Sequence, residues 1–129
     1  MTVPGLAALR ALSADGPLRV RVSGCCMAPA LADRATVGVG RARLFCPGDV
    51  IAFLAGDRLT AHRVIGYRPS RRGLLVWTQA DGATTPDAPV RPDRVLGVVV
   101  DVRASWLDRL RAVKRLLRHV AARAAARLG

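Results

Sequence analysis

The sequence predicts a mainly β fold of about six strands, with a short N-terminal helix and a long, basic, amphipathic C-terminal helix. The central apolar stretches are short and are bounded by glycine and proline, which is typical of strands. Hydrophobic residues make up 51% of the chain and aromatic residues only 4%, so we expect a core of aliphatic side chains. The C-terminal segment instead repeats apolar side chains at helical spacing.

A chain of 129 residues fits one domain with a modest hydrophobic core. We divide it into an N-terminal helix at residues 1–17, a β domain at 18–103 and a C-terminal helix at 104–129. Leucines recur at helical spacing in the first segment, and Gly16-Pro17 ends it. The sequence predicts neither a secretory signal nor an apolar run long enough to span a bilayer.

The predicted strands have the length, the alternation or the β-branched content that strands require. They lie at residues 18–22, 35–39, 50–54, 59–65, 74–78 and 94–102. The third and fourth are expected to form a hairpin through a four-residue turn at 55–58, and residues 68–73 a basic surface loop. The last strand is apolar on both faces, so we expect it to close the sheet.

The C-terminal helix has apolar residues at helical spacing from Trp106 onward and basic residues on its remaining surface. Two interpretations of these apolar residues remain open. The helix either packs on the β domain or lies in the plane of an anionic membrane surface. His119 lies on this helix and is expected to be solvated.

The net charge of +12 comes mainly from arginine and favours anionic partners. A nucleic-acid-binding barrel is not expected, because the aromatic side chains that stack on bases are missing. A repressor would need a pair of DNA-binding helices, and residues 1–17 supply only one. An anionic membrane surface is therefore the expected partner if the C-terminal helix does not pack on the β domain, and no nucleic-acid partner is expected.

The three cysteines do not form a disulfide framework. Cys25 and Cys26 are adjacent, and adjacent residues rarely satisfy the geometry of a disulfide. Reduced thiols indicate a cytoplasmic protein, peripheral at the inner face of the membrane if the C-terminal helix binds there. Cys46 lies in a predicted loop and is assigned no role. Nothing in the sequence predicts a metal ion or another cofactor.

Cys26 belongs to the segment Ser-Gly-Cys-Cys-Met-Ala-Pro-Ala-Leu at residues 23–31, where turn formers and reactive side chains coincide. Gly24 ends the first strand, so Cys26 lies at a strand-to-turn junction. Taken alone, the segment favours two buried cysteines beside a core methionine. Three later segments change this interpretation. They are Pro-Gly-Asp-Val-Ile-Ala-Phe at 47–53, Thr-Ala-His-Arg-Val-Ile-Gly at 60–66 and Thr-Gln-Ala-Asp-Gly-Ala-Thr-Thr-Pro-Asp at 78–87.

Together, in this order, the four segments resemble the signal peptidase I superfamily, which also contains the LexA-type self-cleaving repressors. That family carries G-x-S-M-x-P-x-L, then a G-D-V/I strand, then K-R-V or H-R-V, and then T-x-G-D-x-N. The resemblance covers about residues 20–102. It implies a strongly bent antiparallel sheet or partly open barrel, and an endopeptidase that removes a leader or signal segment from a peptide or protein substrate.

The resemblance also implies roles for individual residues. Cys26 takes the position of the nucleophilic serine, and His62 the position of the base in the histidine-bearing branch. Either Asp81 or Asp87 would orient the imidazole, as the third member of a triad does. The backbone N–H of Cys26 would bind the oxyanion. The other oxyanion- or substrate-binding residues would be Ser23, Gly24, Met27 and Pro29.

Other interpretations of these residues remain open. A catalytically inactive relative would still bind peptide on its sheet but would not hydrolyse it, because replacing serine by cysteine often abolishes activity. A histidine in a strand is commonly a core or edge residue. Asp81 and Asp87 could equally cap turns through Asx hydrogen bonds, which needs no catalysis.

Overall fold

The computed structural model describes residues 18–22, 36–41, 44–56 and 58–128. The predicted N-terminal helix and the turn that carries Cys26 lie outside these residues. The described chain forms β1 (Leu18–Arg21), β2 (Thr36–Gly40), β3 (Val50–Ala55), β4 (Arg58–Ser70), β5 (Gly73–Gln79), β6 (Val95–Val99) and the helix α1 (Trp106–Leu128). The mainly β fold with a long C-terminal helix is therefore confirmed.

The six strands form one antiparallel sheet in the order β1-β2-β6-β3-β4-β5. The sheet is open, with β1 and β5 at its edges. The prediction that the last strand closes the sheet is wrong, because β6 pairs with β2 on one side and with β3 on the other. Its continuous apolar run fits a central strand that is buried on both faces.

Both hairpins of β4 differ from the prediction. The turn between β3 and β4 is tighter than expected, because Ala55 pairs with Arg58 and only two residues connect them. The predicted loop at 68–73 is largely strand, since Ser70 pairs with Gly73. Gly73 has a φ of 112°, a left-handed conformation that glycine adopts readily. Polar residues at an edge hairpin hid this strand from the alternation pattern.

Side chains of the sheet alternate between two apolar clusters, as the two-residue period of a strand requires. One cluster contains Val20, Val22, Val37, Val39, Val50, Ala52, Leu54, Leu59, Ala61, Ala80, Leu96 and Val99. The other contains Phe45, Ile51, Phe53, Val64, Val76, Val90 and Val95. Both are dominated by aliphatic side chains, as the composition predicts.

Helix α1 packs across β4 and β5 through a few residues on one side of the helix. Ala112 is buried with Ile65 and Trp77, and Leu116 packs against them. Gly66 permits this approach, since a Cβ at that position would lie 2.5 Å from Leu116 Cδ2. No helix in the described part of the chain is both long enough and apolar enough to cross a bilayer.

A capping box starts α1. The Ser105 N–H donates to Asp108 Oδ2 at 2.9 Å, and the Asp108 N–H donates to Ser105 Oγ at 3.1 Å. The hydrogen bond from the Ser105 backbone holds the pKa of Asp108 below its ordinary value. The motif Ser-Trp-Leu-Asp therefore fixes where the helix begins.

Candidate active site

His62 lies in the middle of β4, opposite Ile51 of β3. Its Nδ1 is 2.6 Å from Oδ2 of Asp87. Both side chains are partly buried, with 15% of His62 and 29% of Asp87 exposed. In the neutral imidazole this contact places the proton on Nδ1, which donates to the carboxylate, and leaves Nε2 as the basic nitrogen.

Asp87 is fixed by three hydrogen bonds to β5. Thr78 Oγ1 donates to Asp87 Oδ2 at 2.8 Å, and the Asp87 N–H donates to the Thr78 carbonyl at 2.8 Å. Trp77 Nε1 donates to the Asp87 carbonyl at 3.1 Å. The carboxylate partners are 9 and 25 residues away in sequence, so these bonds are not a local Asx turn. Residues of β5 thus hold the Asp87 carboxylate in place.

Asp81 binds a different residue. Its two oxygens accept hydrogen bonds from Nε and Nη2 of Arg63, each at 2.8 Å. Arg63 follows His62 in the strand, so its side chain points to the opposite face of the sheet. The structure therefore brings Asp87 to His62 and leaves Asp81 paired with Arg63.

Arg63 is a buried cation with only 8% of its surface exposed. Its Nη1 donates to the Gly48 carbonyl at 2.8 Å and lies 3.9 Å from Oδ2 of Asp108. The hydrogen bond to Asp81 raises the pKa of Arg63 above its ordinary value, although burial alone would lower it. This forked pair holds a charge in the interior and has no free acid or base to offer a substrate.

A cleft of about 430 Å³ opens beside His62 and Asp87. Its other lining residues are Phe53, Leu54, Ala55, Gly56, Ala88, Pro89, Val90, Arg91 and Arg94. The Phe53 ring meets the imidazole edge to face, with 5.8 Å between ring centroids and an angle of 72°. A cleft of this volume with mostly apolar walls lies in the range of pockets that bind small ligands or part of a peptide.

Comparisons with protein-family models, with curated proteins and with solved structures find no match. The likeness to signal peptidases therefore rests on the four sequence segments.

The remaining predicted site residues lie outside the described part of the chain. They are Ser23, Gly24, Cys26, Met27 and Pro29. Cys46 is described and exposed. Within the described ranges, no group of three or more His, Cys, Asp or Glu side chains is placed to hold a metal ion.

Two features of this region were not predicted. Thr78 belongs to the fourth motif segment, but no pattern in the sequence indicates its hydrogen bond to Asp87. The expectation that His119 is solvated is wrong, because its ring packs edge to face on Trp77 with centroids 4.6 Å apart. His119 lies three residues after Leu116, on the side of α1 that faces the sheet, and the helical period could have placed it there.

Proposed function

We propose that the chain is a signal-peptidase-like processing endopeptidase that removes a leader or signal segment. Cys26 is the nucleophile, His62 the general base and Asp87 the residue that orients His62. The observation that carries this proposal is the 2.6 Å contact between His62 and Asp87 at the wall of an apolar cleft.

In the proposed reaction, His62 Nε2 takes the proton of the Cys26 thiol, and the sulfur attacks the scissile carbonyl carbon. The tetrahedral intermediate collapses as the peptide C–N bond breaks, and His62 gives its proton to the leaving amine. Water then attacks the resulting thioester with His62 again as base, releasing the carboxylic acid and the thiol. Asp87 stabilises the imidazolium in both halves of the reaction.

The oxyanion is assigned to the backbone N–H of Cys26, with Ser23 as a second donor. Cysteine suits this arrangement because a thiolate forms more readily than an alkoxide. A Cys–His pair consequently depends less on its third member than a Ser–His pair does. The mostly apolar walls of the cleft favour substrates with apolar residues beside the scissile bond.

The proposal requires a strongly bent sheet or a partly open barrel. Three strands separate β1 from β4, and four spacings of about 4.8 Å amount to about 19 Å in a flat sheet. The chain from Val22 to Cys26 spans at most about 14 Å when extended. Val20 and Val22 share an apolar cluster with Leu59 and Ala61 of β4. This cluster supports a bent sheet, but on the face opposite His62, so the Cys26 turn has to reach His62 around the end of the strands.

Limited alkylation tests the Cys–His pair without a known substrate. With iodoacetamide at about pH 6.5, we expect Cys26 to react faster than Cys25 and Cys46, because His62 stabilises its thiolate. His62→Ala should slow the labelling of Cys26 about tenfold. His119→Ala is the matched control, since it removes the other histidine of the chain. Equal labelling of all three thiols would contradict the pair.

Peptide cleavage distinguishes the enzyme from an inactive peptide-binding relative. The full chain is incubated with a peptide library, and mass spectrometry identifies the products. We expect cleavage that Cys26→Ala abolishes with an unchanged circular dichroism spectrum, and that Cys26→Ser retains in part. If peptides bind to the wild-type chain and none is cut, the binding protein is the better description.

A further inference from the structure

The outward side of α1 carries an apolar stripe that the sheet does not cover. Its members are Trp106, Leu107, Leu110, Val113, Leu117 and Val120, which are 39% to 80% exposed. By contrast, Ala112 is 1% exposed on the packed side. At 100° per residue, the stripe and the packed side are centred about 110° apart. The stripe is therefore a second apolar face of α1, and packing on the sheet does not explain it.

Basic side chains flank this stripe. Helix α1 has seven Arg and Lys residues and one acidic residue, Asp108, which forms the helix cap. Arg109 and Arg115 bind backbone carbonyls of neighbouring loops. The other five are Arg111, Lys114, Arg118, Arg123 and Arg127. On the helix, the first three follow one border of the stripe and the last two lie beyond the other border.

A groove of about 420 Å³ adjoins the stripe at Val120. Arg68, Arg123 and Arg127 line it together with apolar side chains that include Leu116. Aliphatic surface and guanidinium groups thus occur side by side. This is the chemistry that matches acyl chains and the phosphates of lipid headgroups.

We infer that α1 docks the protein in the plane of an anionic lipid bilayer, with the stripe facing the acyl chains. A second copy of this chain fits the surface less well, because pairing two such faces would bring their basic rows together in a protein of net charge +12. Nucleic acid offers phosphates but no apolar phase for six apolar side chains. An anionic bilayer offers both. The inference does not depend on catalysis.

Trp106 is an intrinsic probe of this docking. It is 80% exposed on the stripe, whereas Trp77, the other tryptophan, is 6% exposed. Vesicles of phosphatidylglycerol and phosphatidylcholine in equal parts should shift the Trp106 emission to the blue, and brominated lipid should quench it. Pure phosphatidylcholine vesicles should bind more weakly, and salt should release the protein from the anionic vesicles. Unchanged emission with anionic vesicles would overturn the inference.

Matched variants separate docking from general attraction between charges. Leu117→Ser should weaken binding to the anionic vesicles about tenfold. Leu44→Ser is the control, since Leu44 is 78% exposed before β3 and Leu117 is 62% exposed on the stripe. Equal binding by the two variants would show that the stripe is not inserted.

The charged pair Arg111→Gln with Lys114→Gln should weaken the same binding about 25-fold, at about 1 kcal/mol for each charge. Arg21→Gln with Arg58→Gln removes the same charge from exposed strand positions and should weaken it about twofold. Equal losses in the two pairs would mean that net charge alone attracts the protein. Sedimentation equilibrium without lipid tests whether a second copy of the chain covers the stripe. A dimer that Leu117→Ser dissociates would overturn the inference.

Discussion

His62 and Arg63 are neighbours in β4, yet their side chains serve two different regions of the molecule. His62 points to an open apolar cleft, and Arg63 points to the face that α1 covers. Each meets an aspartate from the segment after β5, at 2.6 Å for His62 with Asp87 and 2.8 Å for Arg63 with Asp81. The two pairs differ in how many nitrogens of the basic side chain remain outside the pair.

Arg63 uses three of its nitrogens on Asp81 and Gly48, so its guanidinium joins three parts of the chain and stays charged. His62 uses one nitrogen on Asp87 and keeps the other for a proton. A similar contact thus produces a fixed structural charge on one face and, in the proposed reaction, a proton carrier on the other. A one-residue slip of β4 would exchange the two faces, which makes the register of this strand essential to both.

The largest expected effect is on the Arg63 face. Asp81→Asn should lower the free energy of unfolding by about 3 kcal/mol, because the buried guanidinium loses the carboxylate that is hydrogen-bonded to it. Urea denaturation measures this loss, with Asp93→Asn on the exposed Arg91 pair as a control that should change by less than about 1 kcal/mol. Similar losses in the two variants would remove the distinction between a structural pair and a surface pair.

The complementary change on the His62 face is Asp87→Asn. It should slow the alkylation of Cys26 and any peptide cleavage several-fold, less than His62→Ala does, because the imidazolium loses its carboxylate. The free energy of unfolding should fall by only about 1 kcal/mol, since the amide oxygen can still accept from Thr78. If Asp87→Asn costs stability and leaves Cys26 reactivity unchanged, Asp87 is structural and the contrast between the two faces fails.

Asp108 lies in the first turn of α1, and its carboxylate is 3.9 Å from Arg63. Asp108→Asn should lower the free energy of unfolding by about 1 kcal/mol near neutral pH, through the helix cap and its charge. The pKa of Asp108 is lowered in the folded state, so this stabilisation is present above the ordinary value of 3.8 and is lost as pH falls through the folded-state pKa. The gap between wild type and variant in urea denaturation should therefore close as the pH is lowered below 3.8. A gap that persists in acid would exclude the charge as its cause.

Thr78→Val should have a smaller effect on the labelling of Cys26 than Asp87→Asn. It removes one hydrogen bond to Asp87, and we expect a loss of about 1 kcal/mol in unfolding free energy and a few-fold slower labelling of Cys26. Thr78→Ser keeps the hydroxyl and should restore the labelling rate. Failure of the serine variant to do so would show that Thr78 acts through packing.

Much of the fold was predictable because its signals are local. Short valine-rich segments identify the strands, and apolar residues at helical spacing identify α1. The pairing order was not predictable from these signals, since a continuous apolar run such as β6 indicates burial on both faces without naming its neighbours. The end of the β4–β5 hairpin was missed because its residues are exposed and polar, so they show no apolar alternation.

The site was predictable only in part. The motif segments indicated His62 and two aspartates, but both aspartates lie in the same loop and neither spacing nor residue type selects between them. The choice depends on which face of β4 each carboxylate reaches. The hydrogen bonds between Asp87 and Thr78 determine this, and they are visible only in the folded structure. The contacts of the Cys26 turn with His62 stay a prediction.

The contact between helix α1 and the segment after β5 also bears on the order in which parts of the chain fold during synthesis. Arg115 donates to the carbonyls of Ala80 and Asp81 at 3.2 and 3.1 Å, and so anchors the segment that leads to Asp87. Arg115 follows Asp81 by 34 residues, which the ribosome adds in roughly 2–7 s at about 5–20 residues per second. During that interval the nascent segment lacks its anchor. We therefore expect the start of the segment between β5 and Asp87 to gain its last anchor late in synthesis, after most of the sheet has formed.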